Sequence, residues 1–113
     1  MEVRQIMEIF EYKGEGYMPV KDFESWRVAI LNYNERFSKH DEDERHNETD
    51  EIFVLLKGSA VLYEEGEEYN MEPYKVYNVK KGLWHHIVVS KDASVLIVEN
   101  CDTTDENSEK RYL

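Results

Sequence analysis

Four side chains in this sequence have the types and spacing of metal ligands. Glu44 and His46 lie two residues apart, so in an extended chain both side chains point to the same face. Glu51 opens an apolar run at a place where an apolar residue is expected, and His85 begins a second run just after a glycine turn. Imidazole nitrogens and carboxylate oxygens suit zinc, iron, manganese or nickel. These four residues are therefore the candidate ligands of a divalent metal.

The positions of the histidines indicate how such a site would form. His46 leads out of an acidic loop into one predicted strand, and His85 opens another, so both can converge in the interior of a β-structure. His85 shares one face of its strand with Ile87 and Val89. This alternation predicts that His85 points inward and that His86 points outward.

The elements that would position these residues are strands. Most of the chain has apolar residues at a spacing of two, which predicts strands rather than helices. Glu65-Gly66 has the form of a tight hairpin turn, and glycines at 58 and 82 mark two more turns. Many short strands with regular turns predict an all-β sandwich or barrel. The predicted strands cover residues 26–33, 51–56, 60–64, 67–71, 76–79, 84–90 and 94–99.

The two ends of the chain carry weaker patterns. Residues 2–11 fit either a helix or a strand, and we favour a strand because the rest of the chain is β. Residues 1–25 are accordingly assigned to accessory strands. Residues 100–113 are predicted as a polar C-terminal tail, in which Thr103 or Thr104 could cap a short helical turn. With no repeat and no linker, residues 1–113 are expected to form one domain.

Composition excludes several classes of partner. The chain of 113 residues has 25 Asp and Glu against 14 Lys and Arg, and a net charge of −11. That charge disfavours nucleic acid and anionic membranes as partners. No run reaches the roughly 20 apolar residues of a membrane span, and no basic and apolar leader is present. Cys101 is the single cysteine, which excludes an internal disulfide, so we expect a cytoplasmic protein.

Residues 44–58 resemble the first sequence motif of the cupin family. His46, Glu51 and Gly58 stand at the positions of that motif's second histidine, its glutamate and its glycine. Glu44 stands where the family usually has its first histidine. The resemblance therefore implies a metal site in which a carboxylate replaces one of the usual imidazoles.

Residues 74–85 resemble the second motif of the same family. Gly82 and His85 match its glycine and histidine, whereas Tyr74 replaces a glycine and Lys80 a proline, which affects turn geometry more than chemistry. Both motifs occur in order on a run of short strands. The resemblance implies a small single-domain cupin, a jelly-roll β-barrel (double-stranded β-helix) of antiparallel strands with little helix.

Two interpretations of the site stay open. In the first, His46, Glu51 and His85, with Glu44 as a further ligand, hold Fe, Mn, Ni or Zn beside a small organic molecule. Isomerase, lyase and dioxygenase chemistry would then all be possible, and Glu44 or Glu48 could act as a general base. In the second, the protein is a metal-free, non-catalytic sugar or metabolite sensor. Seven carboxylates between positions 41 and 51 would favour entry of cations and disfavour strongly anionic substrates.

Two predicted strands are apolar on both faces, at residues 52–56 and 95–98. A small barrel buries only its inward face, so a second surface must cover the other. We expect a homodimer, which the family resemblance also implies. A third alternative is a protein that binds a different partner through this face.

Overall fold

The computed structural model describes residues 6–113, and within them ten strands form two five-stranded antiparallel sheets. One sheet has the order β1-β2-β9-β4-β7 and the other β10-β3-β8-β5-β6. Two 3₁₀ turns of three residues are the helical part of these residues, so the predicted all-β jelly roll with little helix is confirmed. The strands are β1 (Tyr17–Phe23), β2 (Trp26–Asn32), β3 (Glu42–His46), β4 (Glu51–Lys57), β5 (Ala60–Glu64), β6 (Glu67–Asn70), β7 (Tyr77–Val79), β8 (His85–Val89), β9 (Ser94–Asn100) and β10 (Ser108–Tyr112).

The core lies between the two sheets and is built by alternation along the strands. In β9, Val95 and Ile97 are buried, whereas their neighbours on the other face are half-buried. Inward side chains from both sheets complete the core, namely Ala29, Leu31, Phe53, Leu55, Ala60, Leu62, Ile87 and Val89. Glu51, His85 and Glu99 continue the same inward faces at one end of this core. Strand register therefore brings polar groups together in an otherwise apolar interior.

The turns predicted from the glycines are present, and their backbone conformations explain why glycine is needed. Glu65 and Gly66 have φ values of 48° and 81°, as a type I′ hairpin between β5 and β6 requires. Gly58 has a φ of +75°, and a Cβ there would lie 2.7 Å from the Cα of Ala93. Gly58 is thus needed both for its backbone conformation and for the close approach of the following turn.

The outer face of the β1-β2-β9-β4-β7 sheet is also apolar, as the doubly apolar strands predict. Side chains from β2, β9 and β4 lie side by side on this face in two rows across the sheet. The first row is Val28, Val98 and Ile52, and the second is Ile30, Leu96 and Val54.

Both ends of the chain differ from the prediction. Residues 6–11 form neither strand nor helix, so the strand favoured for 2–11 is wrong over this part, and 1–5 lie outside the described residues. The apolar side chains from Ile6 to Phe10 are half or more exposed and have no sheet to pack on. No helix among residues 6–113 is long and apolar enough to span a membrane.

The C-terminal stretch is not a polar tail throughout, because β10 pairs with β3. Ser108 lies opposite His46 and Tyr112 opposite Glu42. Backbone hydrogen bonds hold β10 to the sheet edge, and its side chains carry no apolar alternation that sequence could reveal. Thr104 is the N-cap of the 3₁₀ turn Asp105–Asn107 and forms a capping box with it. Thr104 is one of the two residues predicted for this role.

Candidate metal centre

One end of the core opens into a cavity of about 470 Å³, which is lined by both sheets. This volume lies in the usual range for sites that hold a small molecule. His46, Glu51, His85 and Glu44 all line the cavity, so the fold brings the four predicted ligands to one place. The stretch predicted as an acidic loop before His46 is strand β3, which carries Glu44 and His46 on its inward face.

Glu51 lies between the two histidines at the closed end of the cavity. Its Oε1 is 2.9 Å from Nε2 of His85 and 3.2 Å from Nε2 of His46. The other ring nitrogens are also held: Nδ1 of His46 lies 2.8 Å from the Ser108 hydroxyl, and Nδ1 of His85 donates to the Leu83 carbonyl oxygen. Both imidazoles therefore present Nε2 to the cavity, in the way that outer partners orient metal-binding histidines.

Glu44, which replaces a histidine of the motif, is also within reach of the site. It lies opposite His85 in the single residue pair that joins β3 to β8. Ligand atoms of Glu44, His46 and His85 all lie within 4.8 Å of one another. Arg36 donates to Glu44 at 2.6 Å, which balances the charge of this carboxylate and fixes its direction.

Glu99 is a polar residue of the site that the sequence analysis missed. It occupies the third inward position of β9, after Val95 and Ile97, and is 6% exposed. The Tyr17 hydroxyl donates to its carboxylate, and both residues line the cavity. A carboxylate on the inward face of an apolar strand is the signal that singled out Glu51, and the same rule applied to β9 would have found Glu99.

His46, Glu51 and His85 form an ion-pair network. Burial raises the pKa of Glu51, but hydrogen bonds from His46 and His85 outweigh burial and lower that pKa to about 2. Burial lowers the pKa of His85, yet the hydrogen bond and charge of Glu51 raise it to about 9. Burial also lowers the pKa of His46, but Glu51 outweighs burial there too, so the pKa of His46 is raised. Burial, followed by the charge of Glu51, raises the pKa of Glu99 to about 7.

The donor set fits a divalent transition metal. Two groups of possible ligands share His46: one adds Glu44 and His85, and the other adds Glu51 and Glu99. Such mixed nitrogen and oxygen sets suit zinc, iron, manganese or nickel. The histidines must lose their protons when they become ligands, so a metal would replace the protons that now separate Glu51 from them. The described residues thus include a His/Glu group that could hold a metal ion.

Other walls of the cavity are mixed in character. Phe37 and Ile97 supply apolar surface, Thr103 supplies a hydroxyl, and Arg27 and Lys110 supply positive charge. The acidic stretch from 41 to 51 therefore does not by itself decide the charge of the cavity wall.

Two residues considered in the sequence analysis lie outside this cavity. Glu48, a candidate general base, is not among its lining residues. His86 faces away from His85 as predicted, but it is 1% exposed because the segment before β3 covers it. Its ring stacks with those of His40 at 5.7 Å and Phe37 at 6.0 Å.

Comparisons with known proteins agree with this fold. A family model described as "Cupin domain" matches residues 35–99, more than half of the chain. None of the curated proteins matches the chain in sequence.

Solved structures with the same fold have low sequence identity to this chain. A cupin-2 domain protein from Shewanella frigidimarina is 14% identical over 79% of this chain and 84% of its own, with a TM-score of 0.64. KdgF from Halomonas is 15% identical over 80% of each chain, with a TM-score of 0.63.

A third structure shares nearly the whole length. It is a variant of Streptomyces Pac13 with uridine, 10% identical over 95% of this chain and 93% of its own, with a TM-score of 0.70. Pac13 is described as a nucleoside dehydratase. At these identities the likeness shows a shared fold, and it leaves ligand and reaction to be argued from the site.

Proposed function

This chain belongs to the cupin family, and from that premise we propose that its cavity binds a small organic molecule together with one divalent metal ion. The observation that carries the proposal is the convergence of His46 and His85 on Glu51. Their Nε2 atoms lie 3.2 and 2.9 Å from one carboxylate oxygen at the closed end of the cavity. An apolar interior has no structural need for three such groups in contact, because burying them costs several kcal/mol before their attraction offsets it.

The residues of the chain have separable roles in this proposal. His46, His85 and Glu51 hold the ion, with Glu44 as a further ligand whose direction Arg36 fixes. A bound divalent ion supplies Lewis acidity toward a carbonyl or hydroxyl group, or a binding position for dioxygen. The cavity extends beyond the ligands and leaves room for an organic molecule on its open side.

Apolar and hydrogen-bonding side chains would hold that molecule. Phe37 and Ile97 offer apolar contact, whereas Thr103 and Lys110 offer donors at the rim. The reaction class stays open among isomerase, lyase and dioxygenase chemistry, since the fold hosts many unrelated activities.

A metal-free binding module is the second candidate, and one observation favours it. Glu51 already has a hydrogen bond with His85 and an ion-pair contact with His46, so the buried polar groups satisfy one another without an ion. In that case the cavity would hold a sugar or metabolite by hydrogen bonds alone, as a non-catalytic sensor.

Metal content and thermal unfolding decide between the two candidates. Protein purified without chelating resin is analysed for metal, and chelator-stripped protein is then titrated with Zn, Mn, Ni and Fe(II). A ligand that binds only the folded state stabilises it by about 2.7 kcal/mol at a hundredfold excess over its Kd, which raises the melting temperature. We expect such a rise, and we expect His46→Gln and His85→Gln to abolish it.

His40→Gln is the matched control, because it removes a histidine that pairs with Asp43 outside the cavity. It should leave the metal-induced shift intact. Less than about a tenth of an equivalent of metal, with no thermal shift for any of the four ions, would favour the metal-free module.

A further inference from the structure

The two sequence motifs of the family do not account for Glu99, although it is buried beside their ligands. It lies on β9, one register step beyond the Ile52–Val98 pair that joins β9 to β4. Because β4 and β9 are antiparallel, the residue after Val98 on β9 lies next to the residue before Ile52 on β4, which is Glu51. Two carboxyl groups therefore face inward from neighbouring strands. Like charges directly opposite one another destabilise a sheet, so this pair of carboxyl groups needs either a proton or a cation between them.

Arg27, His46 and His85 line the cavity together with Glu99, but each of them has other partners. The guanidinium of Arg27 donates to Asp22 and to the carbonyl oxygen of Cys101. The two histidines of the site are paired with Glu51, at 3.2 Å for His46 and 2.9 Å for His85. Among residues 6–113, Glu99 takes part in no salt bridge, and its side-chain partner is the neutral hydroxyl of Tyr17.

The geometry places Glu99 within coordination distance of the same ion. Ligand atoms of His46, Glu51 and Glu99 lie within 4.8 Å of one another, and all three residues are buried. A metal with bonds of about 2.0–2.2 Å holds its ligand atoms roughly 3–4 Å apart, so small rotamer changes would close this set around one ion. His46 also belongs to the group with Glu44 and His85, so both groups meet at a single imidazole.

We propose that Glu99 is a direct ligand of the metal, which it binds with His46 and Glu51, and that Tyr17 is the positioning residue that aims its carboxylate. This inference rests on the proposed function, because it assigns a further ligand to the same ion. Glu99 supplies from β9 a protein oxygen for which neither motif has a position. A hydroxyl that donates to the outer oxygen of a ligating carboxylate leaves the inner oxygen free for the ion.

Zn(II) affinity and Co(II) absorption of the full chain test this assignment. We expect Glu99→Gln to weaken Zn(II) binding by at least about tenfold and to change the visible spectrum of bound Co(II), as loss of a ligand does. Tyr17→Phe should weaken Zn(II) binding less and keep the Co(II) spectrum. Glu68→Gln, which removes an exposed carboxylate on β6, is the matched control and should behave as the unaltered protein.

Metal-free stability separates a ligand from a structural residue. Glu99→Gln removes a buried ionisable group next to Glu51 and keeps an acceptor for the Tyr17 hydroxyl, so it should melt no lower than the unaltered protein in chelator while it binds metal more weakly. If that variant fails to fold, Glu99→Asp keeps the charge but shortens the reach, and it should still alter the Co(II) spectrum.

Failure of this inference differs from failure of the proposed function. Unchanged Zn(II) affinity and Co(II) spectrum in Glu99→Gln, with binding abolished by His46→Gln, would overturn the role of Glu99 and leave the metal site standing. If the unaltered chain binds neither Zn(II) nor Co(II), both proposals fall together.

Discussion

The ion pair of Glu51 and His85 should make the stability of the metal-free protein fall between neutral and alkaline pH. The two side chains are in contact at 2.9 Å and nearly fully buried. Burial lowers the pKa of His85, but the hydrogen bond and charge of Glu51 outweigh it and raise the pKa to about 9 from the ordinary 6.5. The folded state therefore holds this proton more tightly than the unfolded chain does. Glu51→Gln is the perturbation that removes the cause.

The sign and size of this change in stability follow from the linkage between proton binding and folding. A group whose pKa is higher in the folded state contributes fully below its unfolded pKa, and the contribution is lost as pH rises through the folded value. For His85 the loss extends from pH 6.5 to about 9. Because one pKa unit corresponds to about 1.4 kcal/mol, the loss is on the order of 3 kcal/mol. Burial lowers the pKa of His86, so His86 acts in the opposite direction, but only near the ordinary histidine pKa at the lower end of this range.

Urea unfolding in the presence of a chelator, at pH 6.5 and pH 9, measures this difference. The unaltered protein should lose at least about 3 kcal/mol of unfolding free energy between the two values, because the raised pKa values of His46 and Glu99 act in the same direction. Glu51→Gln should be less stable at pH 6.5, where it leaves buried imidazoles without an anion, and should change little toward pH 9. An equal fall in both proteins would refute the assignment to this pair, as would no fall in the unaltered one.

A turn glycine, a capping threonine and the apolar outer face each give a prediction. Gly58→Ala should lower the free energy of unfolding by at least about 1 kcal/mol more than Gly66→Ala does. Both glycines have positive φ, but only at Gly58 would the added Cβ collide with Ala93. Equal losses in urea unfolding would contradict this. Thr104→Ala should cost about 1 kcal/mol by the same assay through loss of the capping box, and an unchanged midpoint would show that the cap contributes nothing. Light scattering should give twice the mass of one chain, and Val98→Lys, on the outer face, should yield monomers; a monomeric unaltered protein at micromolar concentration would be the opposite result.

The strands that carry apolar alternation could be predicted from sequence, and so could the residues at their ends. Ile52 to Leu56 and Val95 to Val98 identify β4 and β9 because their side chains must be buried on at least one face. Glu51 and His85 follow from the same pattern, because each is a polar residue at an inward position. The I′ turn at Glu65-Gly66 follows from local backbone chemistry alone.

What the sequence could not reveal depends on contacts between distant segments. β3 and β10 consist almost entirely of polar residues, and their pairing is a backbone ladder that leaves no mark in side-chain pattern. His86 is buried only because the segment with Phe37 and His40 folds over it. Glu99 belongs to neither motif; its inward position on β9 could be predicted from alternation, but its place next to Glu51 depends on the pairing of β9 with β4.

We propose that a divalent metal binds where His46, Glu51 and His85 converge. Crystals of the full chain soaked in Mn(II) or Zn(II) and measured for anomalous scattering test it most directly. We expect one strong peak in the cavity, about 2.0–2.3 Å from Nε2 of both histidines and from a carboxylate oxygen. Anomalous peaks at surface carboxylates with no peak in the cavity would contradict it.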